Sequence, residues 1–231
     1  MAENDNLIAK NPLYYAPIKE SFYFNHVWMS FTVVVTLVTA FILKNPLYRH
    51  IILLETAISS ISATIYYFLL RNARKSQLES KEIDWKGITI LRYNGWVFST
   101  PLMLIAFLLF LSANTKVKLT LLVVISIILL DWLMLLFGYL GEIGTIDRTT
   151  ALITGFIPFF IMFGIIYQIF LRNNGHTIDH IVFGLFFLFW GLYGIGYMLD
   201  LEQKNYLMNV LDLLSKSGIG LLFAVYFLSK L

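Results

Sequence analysis

Apolar residues in this chain run in long unbroken blocks rather than alternating with polar ones. Seven blocks stand out, at 24–43, 50–70, 89–112, 119–140, 150–171, 179–199 and 206–229. Each is close to the roughly 20 residues that an α-helix needs to cross a hydrocarbon core. The breaks between them are short, so successive helices should run up and down beside one another. The pattern predicts an all-α membrane protein, a seven-transmembrane helix bundle that forms a single domain over 1–231. The most polar break, RNARKSQLESKEIDWK at 71–86, is expected to form a hairpin or a short helix outside the membrane. The first twenty residues carry charges, Pro12 and Pro17, and no apolar stretch. They do not resemble a cleavable signal peptide. Residues 1–22 are therefore expected to be a short surface segment, with Leu13, Tyr14 and Tyr15 at the interface.

Composition agrees with a membrane location. The chain is 58% apolar and 13% charged, against about 45–50% and 25% in soluble domains. With no cysteine there is no disulfide and no thiolate metal site. The net charge of +3 is small and dispersed, so a nucleic-acid partner is not expected. No metal site and no enzymatic activity are expected either. Orientation follows from the basic residues of the loops. One side holds Lys44, Arg49, Lys116, Lys118, Arg172 and Lys230 with one acid, Asp179; the other holds nine basic residues against ten acids. The acid-poor side is expected to face the cytoplasm, with the N-terminus outside and the C-terminus inside.

Five ionisable residues fall inside the blocks: Glu55, Arg92, Asp131, Asp212 and Lys216. Charges at membrane depth are costly and mark functional positions by default. Lys216 lies near the middle of the last block, and Asp212, four residues earlier, shares its helix face. Either interface is about 15 Å away at 1.5 Å per residue, beyond a lysine's reach. Such a lysine serves as a charge partner, a proton carrier or a covalent anchor for an aldehyde. Ser215, Ser217, Gly218 and Gly220 thin the helix around it and allow close approach. Arg92 opens the third block and points either toward this pair or outward to water. Pro101 removes a backbone hydrogen bond in mid-helix, where Ser99 and Thr100 supply hydroxyls. In the sixth block Phe186, Phe189, Trp190 and Tyr193 form one face, suited to core packing or to a slot for a flat apolar cofactor.

The run Arg92-Tyr93-x-x-Trp96-x-x-Ser99-Thr100-Pro101, followed by Asp212-x-x-x-Lys216-x-Gly218, resembles the third- and seventh-helix signatures of the microbial (type 1) rhodopsins. Met134 and Gly138 match a fourth-helix motif of that family. Phe186, Phe189 and Tyr193 stand where its sixth helix has Trp, Tyr and Trp, and Trp190 where many members have proline. The FGYLGE and FWGLYG segments look closest to the viral rhodopsins of large algal viruses. The resemblance implies all-trans retinal bound to Lys216 as a protonated Schiff base, with Asp212 as counterion. It implies a pocket formed by Trp96, Thr100, Met134, Gly138, Phe186, Phe189 and Tyr193. It also implies ion movement driven by light, in a protein that forms homo-oligomers in the lipid bilayer.

The departures from the family pattern matter for function. Gly95 stands where proton pumps have an aspartate that serves as counterion and proton acceptor. Ala106 stands at the cytoplasmic proton donor, and Lys204 at an outer acid. Gly95, Ser99 and Ala106 thus form the transport signature, and the last two match chloride-pumping members. Without a carboxylate at Gly95, Arg92 and the cation on Lys216 face Asp212 alone, leaving a net positive pocket. Glycine should also leave space there, and Asn94 could supply a hydrogen bond. A transported anion, chloride, is therefore the favoured expectation, in a channel or a pump. Proton or cation transport using Asp212 and Glu55, and photosensing without transport, are the alternatives. Glu55 is expected about 9 Å inside the cytoplasmic edge, as a gate, a replacement proton donor or a glutamate hydrogen-bonded in a cavity. Asp131 is expected to serve tuning or packing.

Overall fold

A computed structural model describes residues 12–231, with side chains from Tyr15 onward. Among the described residues seven helices are long and apolar enough to cross a membrane. They are α1 (Pro12–Ile42), α2 (Pro46–Leu78), α3 (Trp85–Thr115), α4 (Leu121–Glu142), α5 (Arg148–Leu171), α6 (Thr177–Tyr197) and α7 (Leu201–Leu228). The last turn of α5, Tyr167–Leu171, is π-helical, and so is the middle of α7, Leu213–Gly218. No strand occurs among the described residues. The protein is an integral, multi-pass membrane protein.

The helix starts are encoded locally. Asn45 accepts from Leu47 N (2.9 Å) ahead of Pro46, which occupies the first helical position. Asp84 accepts from Gly87 N, Thr120 from Val123 N, Asp147 from Thr150 N and Asp200 from Gln203 N. At α6 the Asp179 carboxylate accepts from His176 N at 2.9 Å. Each cap satisfies a backbone donor that the first helical turn leaves unpaired. These polar residues sit in the breaks or at the first positions of the blocks, so the breaks both end one helix and start the next.

The N-terminal end of the bundle, where α1 enters, differs from expectation in two ways. Helix α2 continues to Leu78, and only Glu79–Asp84 connects it to α3. The polar stretch after residue 70 forms neither a hairpin nor a separate helix. Ala73 and Ser76 are buried and Lys19 donates to Gln77, so one face of the polar stretch packs on α1. The expected surface segment is helical from Pro12 onward. Tyr15 is buried rather than interfacial, in a cluster with Ile18, Phe22, Leu69 and Ile88. The side chains of Leu13 and Tyr14, and residues 1–11, lie outside the described residues.

The C-terminal half of the bundle is filled with aromatic side chains. Phe107 stacks on Phe186 (ring centroids 4.3 Å), Phe110 on Phe223 (4.7 Å) and Tyr48 on Phe227 (4.4 Å). Stacked pairs of this kind bury large apolar areas and fix neighbouring helices together. Most of the buried polar groups among the described residues gather elsewhere, around α7 and the helices facing it.

Candidate functional site: a buried lysine and its single carboxylate

Lys216 and Asp212 project from α7 into the bundle interior, both at 3% exposure. The ammonium of Lys216 donates to Asp212 Oδ1. The same oxygen accepts from Trp96 Nε1 (3.2 Å) on α3 and from the Tyr193 hydroxyl (2.7 Å) on α6. The other oxygen accepts from the Tyr66 hydroxyl (2.8 Å) on α2 and lies 3.5 Å from Arg92 Nη1. Four helices thus supply donors to one carboxylate. Both of its oxygens are thus reached by donors.

Arg92 points inward, and its contacts are mostly neutral. It donates to Asn205 Oδ1 (3.0 Å), to Asn209 Oδ1 and to the Asn205 carbonyl (3.4 Å), all on α7. The rings of Phe22 and Tyr66 lie 5.7 and 5.8 Å from its guanidinium carbon. Tyr66, Asn205 and Asn209 were not expected at the site. The asparagines had a signal: Asn205, Asn209, Asp212 and Lys216 recur at helical spacing on one face of α7.

A cavity of about 120 Å³ runs from Lys216 between α3, α4, α5 and α6. Of the residues expected to form a pocket, Trp96, Thr100, Met134, Gly138 and Tyr193 line it. Phe186 and Phe189 do not; Trp190 forms the wall instead, with Phe156 and Phe159 of α5 opposite. Phe186 faces Phe107 in the aromatic core and Phe189 packs against the same core, while the larger indole of Trp190 reaches inward. The cavity is therefore apolar along its walls, with an amine at one end.

Gly95 corrects a second expectation. The space beside it is taken: a Cβ at Gly95 would lie 2.8 Å from Ile65 Cγ1. A smaller cavity of about 10 Å³ remains, lined by Ser62, Gly95, Ser99, Arg92, Asp212 and Lys216 among others. That is room for about one water-sized species. Asn94 is exposed on the outer face and takes no part.

Glu55 is buried on α2, and neither carboxylate oxygen has a hydrogen-bond partner. Glu55 lies nine residues, about 14 Å, from the start of α2 at Pro46. A Cβ built on Gly220 would meet Glu55 Oε2 at 3.2 Å and Thr32 Cγ2 at 3.7 Å. Thr32 in turn bonds Ser217, next to Lys216. Ser59, one turn along α2, also has an unbonded hydroxyl. Ala106 is fully buried in the aromatic core. Asp131 accepts from Thr100 at 2.7 Å, close to the main cavity. Lys204 pairs with Glu142 of α4 at 2.7 and 2.9 Å, with 2% and 7% side-chain exposure.

A seven-helix membrane bundle with a mid-span lysine, one attendant carboxylate and an apolar cavity opening from the amine defines a narrow class of protein. The Bacteriorhodopsin-like protein family matches residues 18–230, and the chain belongs to it. The solved structure of viral rhodopsin OLPVRII is similar over 93% of this chain and 99% of its own, at 29% identity and a TM-score of 0.84. A blue light-absorbing proteorhodopsin from Med12 matches at 23% identity and a TM-score of 0.70, over 92% and 97% of the two chains. Xanthorhodopsin, a light-driven ion pump with dual chromophore, matches at 19% identity and a TM-score of 0.75, over 95% of each. These last two similarities are of fold. No curated protein sequence matches the chain.

Proposed function

We propose that the protein is a retinal-bound, light-activated ion transporter that handles an anion, chloride, beside Lys216. Family membership supports retinal, and the cavity fits it: an elongated apolar aldehyde would lie between Trp96, Met134 and Trp190 with its reactive end at the Lys216 amine. A lysine attacks a carbonyl only as the neutral amine, a form that a desolvated site favours. When bound, all-trans retinal supplies light absorption and a light-driven change of shape. Asp212 balances the positive charge on Lys216 and is held in place by Trp96, Tyr193 and Tyr66. Asp131 and Thr100 flank the cavity on the α3–α4 side.

The observation that carries the anion is the charge count at the small cavity. Arg92 and Lys216 face one carboxylate, and Arg92's remaining contacts are uncharged amides, a carbonyl and a phenol. An uncompensated buried charge is costly, and a bound anion removes it. Ser62 and Ser99 line the same cavity. The decisive measurement is the visible absorption of the retinal-loaded protein while chloride is exchanged for gluconate. A chloride-dependent shift is expected, and a band insensitive to chloride sinks the anion reading. Photocurrent then assigns the mode: reversal that follows the chloride gradient means a channel, and current against it means a pump.

Glu55 favours a second reading, in which a proton is moved. Its two oxygens are unbonded, and Thr32 and Ser217 link its neighbourhood to Lys216. Photocurrent in Glu55→Gln discriminates: a large loss supports proton handling there, and an unchanged current removes it.

A further inference from the structure

We propose that Asn209 positions the Arg92 charge beside Asp212 and, by being neutral, leaves that charge open to an anion. The inference rests on the anion reading above and assigns a residue that preserves the charge imbalance.

The geometry around Asn209 is closed on every side. Its side-chain oxygen accepts from Arg92 Nη2 and lies 3.2 Å from the Tyr66 hydroxyl, whose one proton goes to Asp212 Oδ2 at 2.8 Å. Its side-chain nitrogen donates to the Ser21 hydroxyl on α1. Its backbone carbonyl accepts from Asn25 Nδ2 at 2.8 Å, also from α1. Asn209, Asn205 and Arg92 are all buried, at 2%, 1% and 3% exposure. The amide cannot turn without leaving buried donors unpaired, which is more costly than the bonds themselves are worth. Arg92 is thereby held with its charge toward Asp212 but 3.5 Å from it, a longer approach than its 3.0 Å bond to Asn205.

An aspartate at position 209 would have the same shape. It would accept from Arg92 as asparagine does, and Ser21 would donate to it, since a hydroxyl serves either way. The one thing changed would be charge. Arg92 would then have a full anionic partner in direct contact, and the cavity beside Lys216 would no longer need an anion. Asparagine gives the hydrogen bonds of a carboxylate without its charge.

The experiment uses full-length, retinal-loaded protein in lipid nanodiscs, with sodium chloride titrated against sodium gluconate and the visible band as readout. Asn209→Asp should weaken the chloride midpoint by at least about tenfold, with pigment yield and melting temperature retained. Asn209→Ala should weaken it as well, and adding Arg92→Gln to Asn209→Ala should shift the band no further than Arg92→Gln alone. A purely structural asparagine would leave the chloride midpoint where it is. A wild-type midpoint in Asn209→Asp overturns the proposal. So do additive band shifts for Asn209→Ala and Arg92→Gln, because residues in one network are non-additive. If Asn209→Asp forms no pigment, that double-mutant cycle decides. If the wild-type band ignores chloride, the anion reading fails, and non-additive shifts would still uphold the positioning of Arg92 by Asn209.

Discussion

Ile65 occupies the room beside Gly95: its Cγ1 would stand 2.8 Å from a Cβ placed there. The room a side chain at position 95 would need is thus filled by a hydrocarbon on the neighbouring helix, and the two positions act as a pair. Gly95→Asp alone should overpack this contact and lower stability by about 1–3 kcal/mol. Combining it with Ile65→Ala should recover most of that loss. The double variant should also lose the chloride-dependent shift, because a second carboxylate then faces Lys216. Thermal melts and chloride titrations of both variants check this, and a fully stable Gly95→Asp protein would contradict it.

Lys216→Ala should yield a colourless protein after retinal is added, with the helical far-ultraviolet spectrum unchanged. A visible band surviving that substitution refutes the assignment of the linkage.

Tyr66 and Tyr193 both donate to Asp212, at 2.8 and 2.7 Å. Replacing either by Phe removes a hydrogen bond to a charged group, worth about 1.5–3 kcal/mol. Tyr66→Phe should cost more, since the Tyr66 hydroxyl also accepts from Arg92 and lies 3.2 Å from Asn209 Oδ1. Melting temperatures of the two variants give the order, and the reverse order would show that the Arg92 side of the network matters less than its geometry implies.

The Lys204–Glu142 pair is nearly enclosed, with side-chain exposures of 2% and 7%. Glu142→Gln leaves a buried ammonium without its anion and should destabilise the protein by about 3–5 kcal/mol. Replacing both by apolar residues of similar size, as in Lys204→Met with Glu142→Leu, should cost much less. Denaturation of the three proteins is the test, and a neutral Glu142→Gln would argue that Lys204 is not held by Glu142.

The bundle was legible in the sequence because membrane crossing leaves a coarse, long-range signal: seven apolar blocks with polar caps between them. Lys216, Asp212 and Arg92 were legible because a charge inside such a block is costly and marks a functional position. The helix ends were less so. The polar 71–86 stretch hides an amphipathic face that only packing on α1 makes helical. Ile65 was invisible, because an isoleucine in a membrane helix is ordinary until a glycine opposite gives it a specific role. Phe186 and Trp190 exchanged expected places for a related reason. Aromatic residues on one face look alike in sequence, and which of them meets the cavity depends on where Phe107 and Phe159 stand.

Lys216 lies within the π-helical stretch Leu213–Gly218, in mid-span. A π turn carries one residue more than an α turn over the same rise. The surplus residue gives α7 slack at the point where the side chain would be pulled when its length or direction changes. The surplus can travel along the helix to absorb that pull. The ends, held by the Asp200 cap on one side and the Phe223 and Phe227 stacks on the other, can then stay where they are. Strain raised at the lysine would in this way be kept near Asp212 and Ser217 instead of being spread through the bundle.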